Sequence, residues 1–263
     1  MPNRKGARPH TPPPKRRRKL FGGVIIFAII AIAAAIIFFT PLLDLSNHNL
    51  YGNSVVSATD IWEASGFTAR LERTSGLRPY PNFFSISASR MEEGILTIPY
   101  IYTAEVIKSF PRTITVRVTE RVPTAYVICA DMMFIYVDRH GIALEQRTYM
   151  AQLLPIITGL NFEPFTPGQY LEVANPASLT VALELANLLH KRDMLIYRIN
   201  SSDIYNIRLY VDNMEVLFGA MTQAEEKLTR LYAILTYPYR ERGIRGTLDL
   251  TDPSGNHVFI PLR

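Results

Sequence analysis

The chain has 263 residues, 48% of them hydrophobic and 19% charged, enough to bury a core in one or two domains. Its single cysteine, Cys129, excludes an intramolecular disulfide framework and any zinc site with two or more cysteine ligands. The net charge of +5 belongs to the N-terminal tail: residues 1–19 carry eight Lys/Arg and no acid, and the remainder has 20 basic against 23 acidic residues. The body therefore gives no reason to expect nucleic acid as a partner.

Residues 1–19 contain Pro9 and Pro12–Pro14 and almost nothing apolar, and read as a disordered basic tail. Leu20–Phe39 is a run of twenty residues without a charge. At about 1.5 Å per residue it spans the roughly 30 Å of a bilayer hydrocarbon core. With Thr40 it reads as a transmembrane helix over 20–40. It exceeds the roughly 7–15 apolar residues of a cleaved signal, so an uncleaved anchor is expected. The cationic run Lys15–Lys19 predicts a cytoplasmic N-terminus and an extracytoplasmic body, single-pass in a plasma membrane.

Beyond the anchor, Leu42–Leu50 reads as an extended run ending at a Gly52-Asn53 turn. Ser57–Asp60 predicts a capping box and a short helix, and residues 69–82 a loop. Ser89–Glu92 predicts a second capping box, with Glu92-Glu93 on a solvated face. Tyr100–Phe110 reads as a strand, and Thr113–Thr119 as a half-buried one with Ile114, Val116 and Val118 inward. Residues 42–121 thus form a strand-helix-helix-strand-strand unit, with helices on one face of a three-stranded sheet.

Residues 122–263 read as a β-rich unit with two helices. Ala125–Ala130 and Met132–Val137 are strand-like, and Asp138–Gly141 turns into Ile142–Leu144. Asn175-Pro176 caps one helix, and Thr222–Glu225 predicts a capping box for another that buries Leu228, Leu231, Tyr232 and Leu235. Tyr205–Val211 pairs with Met214–Phe218 across Asp212-Asn213. The chain finishes on a hairpin of Gly246–Thr251 and Asn256–Leu262. The fold class is α+β.

No phosphate loop, nucleophile elbow, zincin or transpeptidase motif occurs, and the five histidines form no H-x-x-x-H pair. Cys129 lies in an apolar run and reads as packed. Asp138 and His140 read as turn residues, and Glu120-Arg121 as a surface or interdomain ion pair. No catalytic, cofactor-binding or metal-binding residue is assigned.

Leu50-Tyr-Gly52-Asn53, Asn82–Ser85, Phe110-Pro111-Arg-Thr113 and Glu120-Arg121-Val-Pro123 resemble strings of the FtsQ/DivIB family of bacterial cell-division proteins. Leu50-Tyr-Gly52-Asn53 with Val56-Ser57 resembles the V-x-G-N-x-x-V-S opening of that family's POTRA domain. Asn82–Ser85 is similar to its N-h-F-x element, and Pro99-Tyr-Ile with Ala104-Glu-Val106 and Phe110-Pro111-Arg-Thr113 to the stretch that follows. Thr115–Ala125 resembles I-x-V-x-E-R-x-P-x-A, supplying Glu120, Arg121 and Pro123, and Tyr136–Asp138 with Gly141 matches h-V-D-x-x-G. Gly246–Leu250 resembles the terminal strand, although Thr251 stands where the family has arginine.

The resemblance implies a non-catalytic divisome scaffold without a cofactor. It implies single-pass coiled-coil partners of the FtsL and FtsB/DivIC type, a link to the septal peptidoglycan synthase complex, and residence at the division septum. In the family the partner adds a strand to a sheet edge. The last strand, Asn256, His257, Val258, Phe259 and Ile260, is the candidate edge, and Pro261 suits an edge position. The competing readings are a POTRA docking protein of secretion or outer-membrane assembly, and an anchored extracytoplasmic cell-wall enzyme.

Overall fold

The computed structural model describes residues 16–39, 43–74, 80–129, 131–162, 164–236, 245–252 and 259–261. Residues 1–15 of the basic tail lie outside that description. The helix α1 spans Arg16–Phe39, so Arg16–Lys19 extend the helix rather than belonging to the tail. Side chains are described along it for residues 22–33, and all are exposed. Among the described residues no helix is long and apolar enough to cross a membrane. The remaining side chains of the expected twenty-residue span lie outside the described set.

The first unit is built on a three-stranded sheet in the order β1-β3-β2. Its strands are β1 (Asn47–Tyr51), β2 (Ile101–Ser109) and β3 (Thr113–Glu120). β1 runs parallel to β3, and β2 antiparallel. β1 is shorter than the apolar run that predicts it: Leu43 and Leu45 are buried ahead of it, and Asp44 bridges Asn82. Strict alternation in β3 puts Ile114, Val116 and Val118 into the core, as their period-two spacing dictates.

Ser57 caps α2 (Ala58–Ala64) by accepting from the Asp60 backbone N–H. Residues 69–74, the start of the expected 69–82 loop, belong to a helix, α3 (Phe67–Thr74), and a single 3-10 turn lies at Phe83–Ser85. Phe67, the first residue of α3, is buried against Trp62 and His48 and holds the helix on the core. α4 (Ala88–Ile95) is capped by Ser87, two residues before the expected Ser89. Glu92 is not solely a solvated residue, because its Oε1 accepts the Val106 N–H of β2 at 2.8 Å. Ile61, Met91 and Ile95 close the core over the sheet.

The second unit is one nine-stranded sheet in the order β12-β11-β10-β9-β8-β7-β4-β5-β6. Three antiparallel strands, β4 (Pro123–Ile128), β5 (Phe134–Asp138) and β6 (Ala143–Arg147), make one end. Two three-residue strands that hydropathy did not reveal, β7 (Ile156–Thr158) and β8 (Arg198–Asn200), join it to β9 (Ile207–Val211) and β10 (Met214–Gly219). β11 (Gly246–Asp249) runs parallel to β10, and β12 (Phe259–Pro261) antiparallel to β11. The β9–β10 hairpin turns where expected, with Asp212 at φ 48°.

Two helices supply the core of this sheet. α5 (Pro176–Lys191) is capped by the Asn175 side chain and buries Leu179, Ala182, Leu183 and Leu189. α6 (Ala224–Thr236) begins two residues after Thr222, from Gln223 at φ 54°. Its buried face holds Lys227 in place of Tyr232, which is exposed. Lys227 can be buried because Nζ donates to the Phe218 and Ala220 carbonyls at 2.8 and 2.9 Å. A smaller cluster of Tyr126, Tyr136, Leu144 and Ile156 forms a separate core, and Tyr100 of the first unit packs partly against it.

Candidate partner-binding edge and interdomain seam

Of the candidate edge residues, Asn256, His257 and Val258 lie outside the described residues. Phe259 and Ile260 belong to β12, the end of the nine-strand order. The register pairs Phe259 with Leu248, Ile260 with Thr247 and Pro261 with Gly246. Leu248 is buried, while Ile260, one position out of phase with that pair, is 60% exposed. A strand in this place has one side paired with β11 and its other side at the end of the sheet.

The remaining candidate residues gather at the junction of the two sheets. Glu120 ends β3 and turns back on the loop after β1. Its carboxylate accepts from the Ser54 hydroxyl at 2.6 Å and from the N–H groups of Ser54, Val55 and Val56 at 2.9 Å each. Burial pushes this carboxyl up, but those four donors outweigh it and hold it below the usual glutamate range. Asn53 adds a bond from Nδ2 to the Val56 carbonyl. Gly52 sits at φ 91°, and a Cβ there would lie 2.0 Å from the Val118 carbonyl oxygen.

Arg121 crosses to the second unit. Its Nη1 meets Asp138 Oδ2 at 2.8 Å, and its guanidinium lies 5.1 Å from the Tyr102 ring centre. Asp138 also accepts from the N–H groups of His140 and Ile142 through Oδ1, which shapes the turn that Gly141 completes at φ 79°. Pro123 is the buried first residue of β4 and lies opposite Asp138 in the register. The expected interdomain ion pair is present at Arg121, whereas Glu120 instead accepts from the Ser54–Val56 loop. Glu120 serves the first unit, and Arg121 pairs across the seam.

Tyr100, Tyr102 and Glu145 escaped assignment from the sequence. The Tyr100 hydroxyl donates to Glu145 Oε1 at 2.5 Å, and burial followed by that carboxylate pushes its ionisation far above the usual range. Tyr102 stacks on His140 with ring centres 5.6 Å apart and planes 6° from parallel. Of these only Tyr100 lay in a string the sequence singled out, Pro99-Tyr-Ile; Tyr102 and Glu145 carried no such signal. Phe110 sits in the β2–β3 turn with Pro111, away from the seam, and is 71% exposed.

Cys129 is half-buried beside Gln146, and burial together with the Asp131 carboxylate pushes its thiol up. Among the described residues no group of three His, Cys, Asp or Glu could hold a metal ion. Among the described residues, the arrangement offers an ion pair between the two units and, at β12, a strand at the end of the sheet order.

Residues 49–121 match the family model of the FtsQ-type POTRA domain. The chain is 25% identical over 183 residues to the cell division protein DivIB of Clostridium tetani, covering 68% of this chain and 69% of that one. It is 23% identical over 192 residues to DivIB of Clostridium botulinum, covering 72% and 74%. It is 23% identical over 223 residues to the cell division protein FtsQ of Mycobacterium tuberculosis, covering 82% of this chain and 60% of the relative.

Proposed function

Because the chain belongs to the FtsQ/DivIB family, and so has a role in bacterial cell division, we propose that it is a membrane-anchored, non-catalytic scaffold of the division machinery. It holds single-pass coiled-coil partners of the FtsL and FtsB/DivIC type and couples them to septal peptidoglycan synthesis. The observation that carries the reading is β12, which ends the nine-strand order with Ile260 60% exposed. A partner segment adds to that strand through backbone hydrogen bonds, and Ile260 supplies side-chain selectivity.

The anchor is α1. Val24, Ile25, Ile26, Phe27, Ile29, Ile30 and Ile32 are all more than half exposed, an arrangement that water disfavours and lipid accepts. The cationic flank at residues 15–19 keeps its N-terminal end in the cytoplasm. The Arg121–Asp138 pair ties the unit at 42–121 to the unit at 122–263 and restrains the hinge between them.

A fluorescent fusion on the N-terminus of the full chain tests the reading in growing cells. The expected result is a band at midcell during constriction. Uniform membrane signal through every stage of division contradicts it.

A further inference from the structure

We propose that the aromatic tip formed by Phe83, Phe84 and Phe110 rests on the bilayer surface and inserts its two exposed rings into the lipid interface. The proposal rests on α1 being the membrane anchor.

The tip is built from two separated segments. The Phe83 ring lies 5.5 Å from Phe84 and 5.8 Å from Phe110, both edge to face. Phe84 is 57% exposed and Phe110 71%. Exposed phenylalanines held together in this way cost solvation free energy unless something apolar covers them.

The position of the tip in the chain says what covers it. Asp44 bridges Asn82, the residue before Phe83, and the Leu45 N–H donates to the Pro81 carbonyl at 2.9 Å. Arg112, two residues after Phe110, donates from Nε to the Asp44 carbonyl at 3.4 Å. Both segments of the tip are therefore tied to the point where the chain enters the first unit. Asp44 follows the last residue of α1, Phe39, by five positions. At no more than about 3.6 Å per residue, that entry point cannot lie more than about 18 Å from the end of α1.

Cations surround the rings. Lys108 Nζ donates to the Phe83 and Ile86 carbonyls at 2.9 and 2.7 Å, and Arg70 donates to the Ser85 carbonyl at 2.5 Å. With Arg112 they give the tip an apolar centre and a basic surround, the pattern of a surface that sits on anionic headgroups with its aromatics below them.

The test uses the full chain in vesicles of phosphatidylglycerol and phosphatidylethanolamine whose upper acyl chains carry bromine, a contact quencher of indole. The chain has one tryptophan, Trp62, so the unsubstituted protein gives the background. Phe84→Trp and Phe110→Trp place a reporter on the tip, and Tyr205→Trp places one on an exposed site of the second unit. The expected result is that the emission added at 84 and at 110 is lost in brominated vesicles, while that added at 205 is kept. Protein that floats with the vesicles but keeps its emission at both tip positions overturns the proposal and leaves the anchor standing. Protein that does not float overturns the anchor and the proposal together.

Discussion

Arg121 and Asp138 meet at 2.8 Å across the seam between the two sheets, with side chains only 17% and 3% exposed. One residue directly follows the outgoing strand of the first unit and the other begins a tight turn in the second. A buried pair of this kind is costly to break, because the partner left behind keeps its charge without its counter-ion.

Arg121→Ala is expected to lower unfolding free energy by about 2–4 kcal/mol, the lower part reflecting the two backbone donors that Asp138 retains. Denaturant unfolding measures it. Arg121→Lys should recover only part of the loss, since one ammonium cannot both reach Asp138 and cover Tyr102. A loss below about 0.5 kcal/mol for the alanine variant would place this contact among ordinary surface pairs.

Glu120 gives a pH dependence with a definite sign. Its carboxyl is held below the usual range in the folded chain, so the stabilisation is complete above the pKa of the unfolded chain. It is lost as pH falls through the lower, folded value. Glu120→Gln should flatten the acid limb of the stability profile, read by unfolding at a series of pH values from neutral to strongly acidic. It should also cost about 1–2 kcal/mol at neutral pH, as charge-assisted bonds to Ser54–Val56 weaken. An unchanged acid limb would remove Glu120 from the account.

Gly52 cannot carry a side chain without movement of β3, because a Cβ would meet the Val118 carbonyl oxygen at 2.0 Å. Gly52→Ala should destabilise by about 2–3 kcal/mol, combining left-handed strain with displacement of the strand. The thermal midpoint of the full chain reads this. A midpoint equal to that of the parent chain would mean that the loop and β3 separate freely.

Much of the fold was legible because local and tertiary preferences agree. Thr113–Thr119 alternates so regularly that only one face could be buried, and Asn175-Pro176 fixes a helix start on its own. The parts that were missed depend on distant partners. β7 and β8 have three residues each, too few for any period, and become strands because β4 and β9 offer ladders on either side. α3 contains Ala69, Arg70, Leu71 and Glu72, all good helix formers, and its first residue Phe67 packs on Trp62 and His48; the glycine and prolines further along 69–82 drew the loop reading over it. Lys227 reads as a surface residue until the two carbonyls that accept from it are in place. At the seam, the string holding Glu120, Arg121 and Pro123 lies where the two units meet. It could not say that Glu120 and Arg121 face different units.

The edge at β12 follows the same logic. Pro261 marked it as an edge from sequence, since a central strand would lose a ladder bond there. Ile260→Glu should abolish partner capture while leaving the thermal midpoint within a degree or two, because an exposed substitution rarely moves stability by more than about 0.5 kcal/mol. Loss of both together would make Ile260 a packing residue instead.

In the scaffold reading, the division partner docks on the last strand. A photo-crosslinking residue placed at Ile260 in dividing cells tests it most directly, with the same residue at Tyr205 as the control. The expected result is a covalent adduct from position 260 with a small single-pass membrane protein, and none from 205. Adducts from neither position, with the protein present at midcell, would contradict it.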